Sequence, residues 1–154
     1  NFVDLDELIK ENEKMDISEI FAQRGEDYFR KVETEILKSV SDKNDYVIAL
    51  GGGTIVKEEN LEIMKKTGKV IYLRASAEVI YKRIKTKLNR PIFKDLVLAG
   101  SPKKDFIDRI ETLLNERKKY YEQADLIVET SNEPLGFIVD KLSKKITRMI
   151  NEKN

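Results

Sequence analysis

Two acidic residues, Asp4 and Asp6, stand two positions apart where a short apolar segment near the N-terminus ends. Side chains spaced by two share one face of a strand, so both carboxylates are expected to face the crevice at the carboxyl edge of a parallel sheet. Paired carboxylates at that edge suit a magnesium ion and a general base for an acceptor hydroxyl. Helix capping by either residue is the alternative interpretation.

Three consecutive glycines, Gly51, Gly52 and Gly53, follow a second apolar segment. Without side chains, their backbone N–H groups can approach a ligand closely or turn through positive φ. The residues given contain no Gly-rich loop ending in Gly-Lys-Ser/Thr, and Gly51-Gly52-Gly53-Thr54 lacks that lysine. A ligand-binding loop and a plain tight turn are therefore both open interpretations.

Several arginines could bind an anion. Glu26 and Arg30 are four apart on a predicted helix, which is typical of an ordinary surface ion pair. Arg30 could instead fork a substrate carboxylate, with two nearby phenylalanines, Phe21 and Phe29, as pocket walls. Arg90 precedes Pro91 between two charged helices, which is typical of a lid that closes on phosphate.

Composition bounds the function. The 154 residues carry a net charge of +1, with 40% hydrophobic and 37% charged residues, so no global electrostatic argument favours nucleic acid. The absence of Cys and His excludes thiol chemistry and imidazole bases or ligands, which leaves acid–base work to Asp, Glu, Lys or Tyr. No run approaches the roughly 18 apolar residues of a membrane span, and no signal peptide is visible. We expect a cytoplasmic protein without a membrane partner.

Strands and helices alternate along the chain, and the strands are apolar throughout. This predicts a single α/β domain over residues 1–154 with a mainly parallel sheet. The predicted strands are Phe2–Leu5, Tyr46–Leu50, Val70–Leu73 and Leu126–Val128. The predicted helices are Asp6–Asn12, one from Asp16 with a capping box to Glu19, Gly25–Val40, Lys57–Lys66, Ser76–Leu88, Asp105–Gln123 and one opened by Pro134. Residues 90–104 are predicted to be loop.

Taken together, these motifs resemble the shikimate kinases, a family in the nucleoside-monophosphate-kinase branch of P-loop proteins. The resemblance spans nearly all of the chain in family order. The matching stretches are Phe2–Asp6, Ile17–Phe21, Gly25-Glu26 with Phe29-Arg30 and Glu33, Gly51–Gly53, Val70–Leu73, Arg83 with Arg90-Pro91, and Glu116-Arg117 with Tyr121 and Ala124-Asp125. It implies a three-layer α/β/α P-loop kinase fold, with a substrate-binding part at about 6–40 and a lid at about 88–104.

The resemblance also implies roles for the candidate residues. The reaction would be transfer of the ATP γ-phosphate to the 3-hydroxyl of shikimate, with magnesium, in a monomer. Asp6 would bind the shikimate hydroxyls and act as the base, or orient the hydroxyl, and Asp4 would lie near magnesium. The remaining assignments are a carboxylate clamp by Arg30 and Arg117, ring-hydroxyl binding by Gly51, Gly52 and Gly53, a lid arginine at Arg90, and Arg83 on the nucleotide side.

The chain departs from the family in two places. The family's first strand, P-loop and first helix, about 30 residues for such a unit, would precede Asn1, so we expect the sequence to be incomplete. Without that strand, a gap should separate the strands at 46–50 and 70–73. The stretch between Arg90 and Arg117, with Leu96–Gly100, looks longer than the family's, which suggests either an enlarged lid or a partner-binding loop.

Two other functions stay open beside shikimate kinase. One is a related small-molecule kinase, such as a gluconate kinase, which need not share the clamp by Arg30 and Arg117. The other is a non-catalytic shikimate-binding module without a P-loop. The second predicts binding of the acceptor without turnover of ATP.

Overall fold

A computed structural model describes residues 1–85, 91–130 and 133–151. Over these residues the chain forms four strands and seven α-helices. The strands are β1 (Phe2–Asp4), β2 (Val47–Ala49), β3 (Ile71–Arg74) and β4 (Leu126–Glu129). The helices are α1 (Leu5–Glu13), α2 (Ile17–Ser41), α3 (Glu58–Thr67), α4 (Ala77–Ile84), α5 (Lys94–Leu98), α6 (Lys103–Tyr121) and α7 (Leu135–Asn151).

The strands form two parallel pairs. β1 pairs with β2, with Phe2 opposite Val47, and β3 pairs with β4, with Ile71 opposite Leu126. Within the described residues β2 and β3 are not hydrogen-bonded to each other, so the expected gap between these strands is present. The apolar side chains Val47 and Leu73 are correspondingly 64% and 50% exposed. The predicted parallel α/β architecture is confirmed.

The first helix begins earlier than predicted. Asp4 is its N-cap: a carboxylate oxygen accepts from the backbone N–H groups of Asp6 at 2.9 Å and Glu7 at 3.3 Å. The strand therefore ends at Asp4 and Asp6 lies in the first turn of α1, because the Asp4 side chain satisfies otherwise unpaired helix donors. The expectation that both residues share one strand face is wrong, and the capping interpretation is confirmed for Asp4.

Helix α2 joins the two helices predicted from Asp16 and from Gly25. At its start the expected capping box between Asp16 and Glu19 is present, and the Asp16 N–H donates to the Glu19 carboxylate at 3.0 Å. Gly25 has φ +82° and ψ 172°, so the helix kinks there. A residue with a side chain rarely adopts such a φ, which explains a glycine at this position.

The segment after Pro91 is ordered secondary structure, which corrects the prediction of a loop over residues 90–104. A 3₁₀ turn at Pro91–Phe93 leads into α5. Phe93 is buried, and Arg109 on α6 donates to the Ile92 carbonyl at 3.1 Å and to Asp95 at 2.8 Å. The Arg109 guanidinium also holds the pKa of Asp95 below its usual value. These tertiary contacts stabilise elements too short for a periodic pattern to predict.

Two apolar clusters form the core. The larger joins α1, α2, α3 and the end of α6; its buried members are Leu5, Ile9, Ile20, Phe29, Val32, Leu37, Val40, Ile55, Leu61, Met64 and Tyr121. The smaller joins α4, α6 and the segment at Phe93; its buried members are Ala77, Phe93, Phe106 and Ile110. Leu114 packs against both clusters, so α6 connects the two halves of the molecule. Among the helices described, none combines the length and apolar character that a membrane span requires.

Candidate active site

A cavity of about 890 Å³ opens between α1, the start of α2, the glycine turn and α6. Most of the predicted site residues lie together in its wall. These are Asp6, Arg30, Gly51, Gly52, Gly53 and Arg117. Elements far apart in sequence therefore converge on one cavity, as a binding site requires.

Two glycines of the turn, Gly52 and Gly53, lie close against side chains from α2 and α6. The backbone of the turn closes with a hydrogen bond from Thr54 N–H to the Gly51 carbonyl, at 3.1 Å between N and O. A Cβ atom on Gly53 would lie 2.7 Å from Arg30 Nη2, and one on Gly52 would lie 3.1 Å from Tyr121 Oη. A side chain at Gly53 would displace the Arg30 guanidinium, and one at Gly52 would crowd the Tyr121 hydroxyl, so glycine keeps both groups against the turn.

Arg30 is held by two carboxylates of its own helix. Nη1 lies 2.9 Å from Glu33 Oε2, and Nη2 lies 3.2 Å from Glu26 Oε1. Glu26 is exposed, whereas Glu33 is only 1% exposed and also accepts from the Thr54 hydroxyl at 2.7 Å. The ion-pair interpretation of Glu26 and Arg30 is confirmed, and the same geometry sets the guanidinium in the cavity wall beside Gly53.

The opposite wall comes from α6, where Arg117 and Tyr121 are four residues apart and so share one helix face. Arg117 Nη1 would lie 3.8 Å from a Cβ on Gly52. No ion-pair partner contacts Arg117 within residues 1–85, 91–130 and 133–151. Tyr121 donates its hydroxyl hydrogen to the Gly52 carbonyl at 2.7 Å. The α6 wall therefore carries the Arg117 guanidinium, which can meet an anionic ligand, and the Tyr121 hydroxyl, which holds the glycine turn against α6.

Tyr121 is a site residue whose contact with the turn was not predicted. Its ring stacks on that of Tyr72 in β3, with 4.6 Å between the ring centroids. Burial raises the pKa of the Tyr72 phenol, so this stacked neighbour stays uncharged near neutral pH. The available signal was the four-residue spacing from Arg117, but that spacing does not show which backbone atom the hydroxyl contacts.

Asp6 and two aromatic rings complete the cavity. The Asp6 carboxylate is half-buried, and its Oδ1 atom would lie 3.5 Å from a Cβ on Gly51. Phe21 and Phe29 pack together with 4.7 Å between ring centroids, and both line the cavity as expected. The carboxylate thus faces the turn from the α1 side, beside apolar walls.

Two predicted residues, Asp4 and Arg83, lie outside the cavity wall, and a third, Arg90, is not among the described residues. Asp4 is occupied as the helix cap and is not in the cavity wall. Arg83 is also outside the wall, and its Nη1 atom donates to the Thr130 hydroxyl at 3.1 Å, near the end of β4. Arg90 lies outside the described residues. Over the residues described, no group of three or more acidic side chains forms a ready metal site.

A second, apolar groove of about 620 Å³ lies between the start of α2 and α5. Val97 and Leu98, from the segment expected to be an enlarged lid or a partner-binding loop, line it and are 43% and 78% exposed. Pro91 and Phe21 line both this groove and the larger cavity. The segment therefore borders the candidate site, and both interpretations of it stay predictions.

Comparison with known proteins gives one consistent result. The family model for shikimate kinase matches residues 1–149. A shikimate kinase from Chloroherpeton thalassium is 36% identical over 149 residues, which cover 97% of this chain and 80% of that protein. One from Thermodesulfovibrio yellowstonii is 38% identical over 153 residues, which cover 99% of this chain and 84% of that protein. A solved shikimate kinase from Acinetobacter baumannii in complex with shikimate has a TM-score of 0.84 at 28% identity, covering 100% of this chain and 80% of that one. A shikimate kinase from Bacteroides thetaiotaomicron also has a TM-score of 0.84, at 30% identity, covering 97% and 83%.

Proposed function

The chain belongs to the shikimate kinase family of phosphotransferases, and on this premise we propose that it transfers the γ-phosphate of ATP to the 3-hydroxyl of shikimate in aromatic amino-acid biosynthesis. One observation supports the proposal most strongly. Each glycine of the turn faces a different functional side chain: Gly51 faces Asp6, Gly52 faces Arg117 and Gly53 faces Arg30. A small polar ligand seated on this turn would meet a carboxylate and two guanidinium groups together.

We assign the carboxylate of shikimate to Arg30 and Arg117. The two guanidinium groups approach neighbouring glycines from opposite walls, so one planar anion can contact both. A guanidinium presents five N–H donors in a fixed fork that matches carboxylate geometry. Arg30 uses some of its donors on Glu26 and Glu33 and retains others for a ligand.

We assign the acceptor hydroxyl to Asp6. Its carboxylate lies beside Gly51, on the α1 side of the cavity, and it can accept a hydrogen bond from a ligand hydroxyl. In phosphoryl transfer most of the rate enhancement comes from holding the nucleophile in line and neutralising charge. Asp6 would hold or receive the hydroxyl proton, while backbone groups of Gly51, Gly52 and Gly53 would bind the ring hydroxyls.

The family uses ATP, and we propose Arg90 as the lid arginine near the transferred phosphate and Arg83 as a residue on the nucleotide side. We propose Asp4 as the carboxylate nearest magnesium. Magnesium commonly binds one or two carboxylates together with substrate phosphates, and it would neutralise the charge on those phosphates. Asp4 Oδ1 already caps α1, so an ion could use only the other carboxylate oxygen and would be held mainly through the substrate phosphates. The expected monomeric state and cytoplasmic location stay predictions.

The test is an assay of the purified full-length protein with ATP, magnesium and shikimate. We expect ADP release that depends on shikimate, and calorimetric binding of shikimate alone. Binding of shikimate without ADP release would support the non-catalytic module instead. ADP release with gluconate but not with shikimate would support another kinase of the same branch.

A further inference from the structure

Three fully buried polar residues form one connected path that reaches the cavity at Arg30, and one of them, Glu33, also lines the cavity. Glu33, Thr54 and Asn60 are 1%, 0% and 0% exposed. Burying polar groups costs free energy unless each finds a hydrogen-bonding partner, so such a path requires an explanation. The position of the path supplies this explanation, because the path begins at Asn60 on α3 and ends at the Arg30 guanidinium in the cavity wall.

The path can be followed atom by atom. Asn60 Nδ2 donates to the Thr54 carbonyl at 2.9 Å, which fixes the backbone at Thr54. The Thr54 hydroxyl donates to Glu33 Oε1 at 2.7 Å. The other carboxylate oxygen, Glu33 Oε2, accepts from Arg30 Nη1 at 2.9 Å. Each carboxylate oxygen therefore has its own donor, and together the two donors fix the plane of the carboxylate.

Thr54 is well placed to hold that plane because it follows the glycine turn directly. Its N–H closes the turn on the Gly51 carbonyl, while its hydroxyl reaches the Glu33 carboxylate. One residue thus ties the backbone of the turn to the group that orients Arg30. Loss of the hydroxyl would leave the inner oxygen of a buried carboxylate without this donor and free the carboxylate to rotate.

We infer that Thr54 is a positioning residue for substrate recognition: its hydroxyl sets the Glu33 carboxylate, which holds the Arg30 guanidinium at the position where it meets the substrate carboxylate. Asn60 supports this role by fixing the Thr54 backbone. The inference rests on the proposed function for the identity of the ligand. The geometry of Arg30 itself does not depend on that identity.

The test compares Thr54→Val with Thr54→Ser in the full-length protein. Valine keeps the shape and removes the donor, so we expect KM for shikimate to rise about tenfold with kcat and KM for ATP little changed. Serine keeps the hydroxyl and should restore KM to within about twofold of wild type. Thr34→Val is the control, because Thr34 is also buried and its hydroxyl donates to the Arg30 carbonyl instead of to Glu33 and accepts from the Lys57 ammonium.

A second measurement follows the rotation of the Arg30 guanidinium in the protein without ligand. In ¹⁵N NMR, restricted rotation of the Arg30 guanidinium should be seen in wild type and Thr54→Ser, and faster rotation in Thr54→Val. Unchanged rotation in Thr54→Val, or a rise in KM that serine does not reverse, would overturn the inference. A wild type that does not bind shikimate would overturn the proposed function alone, because the NMR comparison would still decide the role of Thr54.

Discussion

The two walls of the cavity hold their arginines in opposite ways. Arg30 on α2 is paired with Glu26 and with the buried Glu33, whereas no ion-pair partner contacts Arg117 on α6 within the described part of the chain. The α2 wall is therefore preorganised by internal charges, and the α6 wall keeps a cation available for a ligand. The difference predicts that removing either arginine will weaken shikimate binding to a similar extent, but that only the loss of Arg30 will strongly lower the free energy of unfolding.

The largest expected effect comes from changing Asp6, the carboxylate on the α1 side of the same cavity. Asp6→Asn removes the charge and the basicity at Gly51 but keeps the size of the side chain. We expect kcat to fall by about 10²- to 10⁴-fold, the usual contribution of a general base, with nucleotide affinity largely intact. Steady-state kinetics and nucleotide calorimetry measure the two quantities, and a variant with wild-type turnover would remove Asp6 from the role of base.

The direct test of the comparison is Arg30→Ala beside Arg117→Ala. Each should weaken shikimate binding by about 10- to 100-fold, since a charge-assisted hydrogen bond is lost, and affect ATP binding far less. Only Arg30→Ala leaves the Glu33 carboxylate buried without its cation, so it should also lower the free energy of unfolding by about 3 kcal/mol. Arg117→Ala should change that free energy by less than about 1 kcal/mol.

Calorimetry and urea unfolding on the same samples separate the two effects. Arg30→Lys and Arg117→Lys serve as controls that keep the charge but lose the planar fork. Equal destabilisation by the two alanine variants would contradict the contrast between the walls. Equal weakening of shikimate and ATP would contradict the clamp.

A smaller effect is expected from removing the Tyr121 hydroxyl, which holds the glycine turn against α6. Tyr121→Phe keeps the ring stacked on Tyr72 and removes only the hydrogen bond to the Gly52 carbonyl. Loss of about 1 kcal/mol should raise KM for shikimate about fivefold, with kcat nearly unchanged. Tyr120→Phe, the neighbouring residue on the same helix, is the control. A Tyr121→Phe variant with wild-type KM would show that the turn holds its shape without this donor.

The sequence predicted the architecture well where its signals are local. Apolar runs at 46–50 and 70–73 predicted two strands, and Asp16 with Glu19 predicted the start of α2. The strands form, but they are not buried as their apolar character predicts, since Val47 and Leu73 are exposed. The resemblance to the shikimate kinases, whose first strand would precede Asn1, predicted the gap between β2 and β3. The strands and the helix start depend on neighbouring residues, whereas the gap follows from the strand order of the family.

Other features depend on contacts between distant residues, and the sequence could not supply them. The ordered turn at Pro91–Phe93 exists because Arg109 and Phe106 contact it from α6. Asp4 and Asp6 do not share a strand face because Asp4 caps α1 and Asp6 lies in its first turn. The glycine turn is explained by side chains more than 20 positions away, at Arg30 and Tyr121. The spacing of residues along the chain identified the candidate side chains. Their position around one cavity depends on how the helices and the turn pack, which the sequence pattern does not show.

The smallest expected effect is at a carboxylate that contrasts with Glu33. Glu59 is exposed on α3, and the ammonium groups of Lys38 and then Lys57 lower its pKa from 4.5 to about 2. Because the folded-state pKa is the lower one, this stabilisation is present above about pH 4.5 and is lost as the pH falls toward 2. The urea midpoint of wild type should therefore fall more steeply over that range than that of Glu59→Gln. Salt should reduce the difference, since the pair is exposed and screened, and parallel curves for the two proteins would show that these ion pairs contribute nothing measurable.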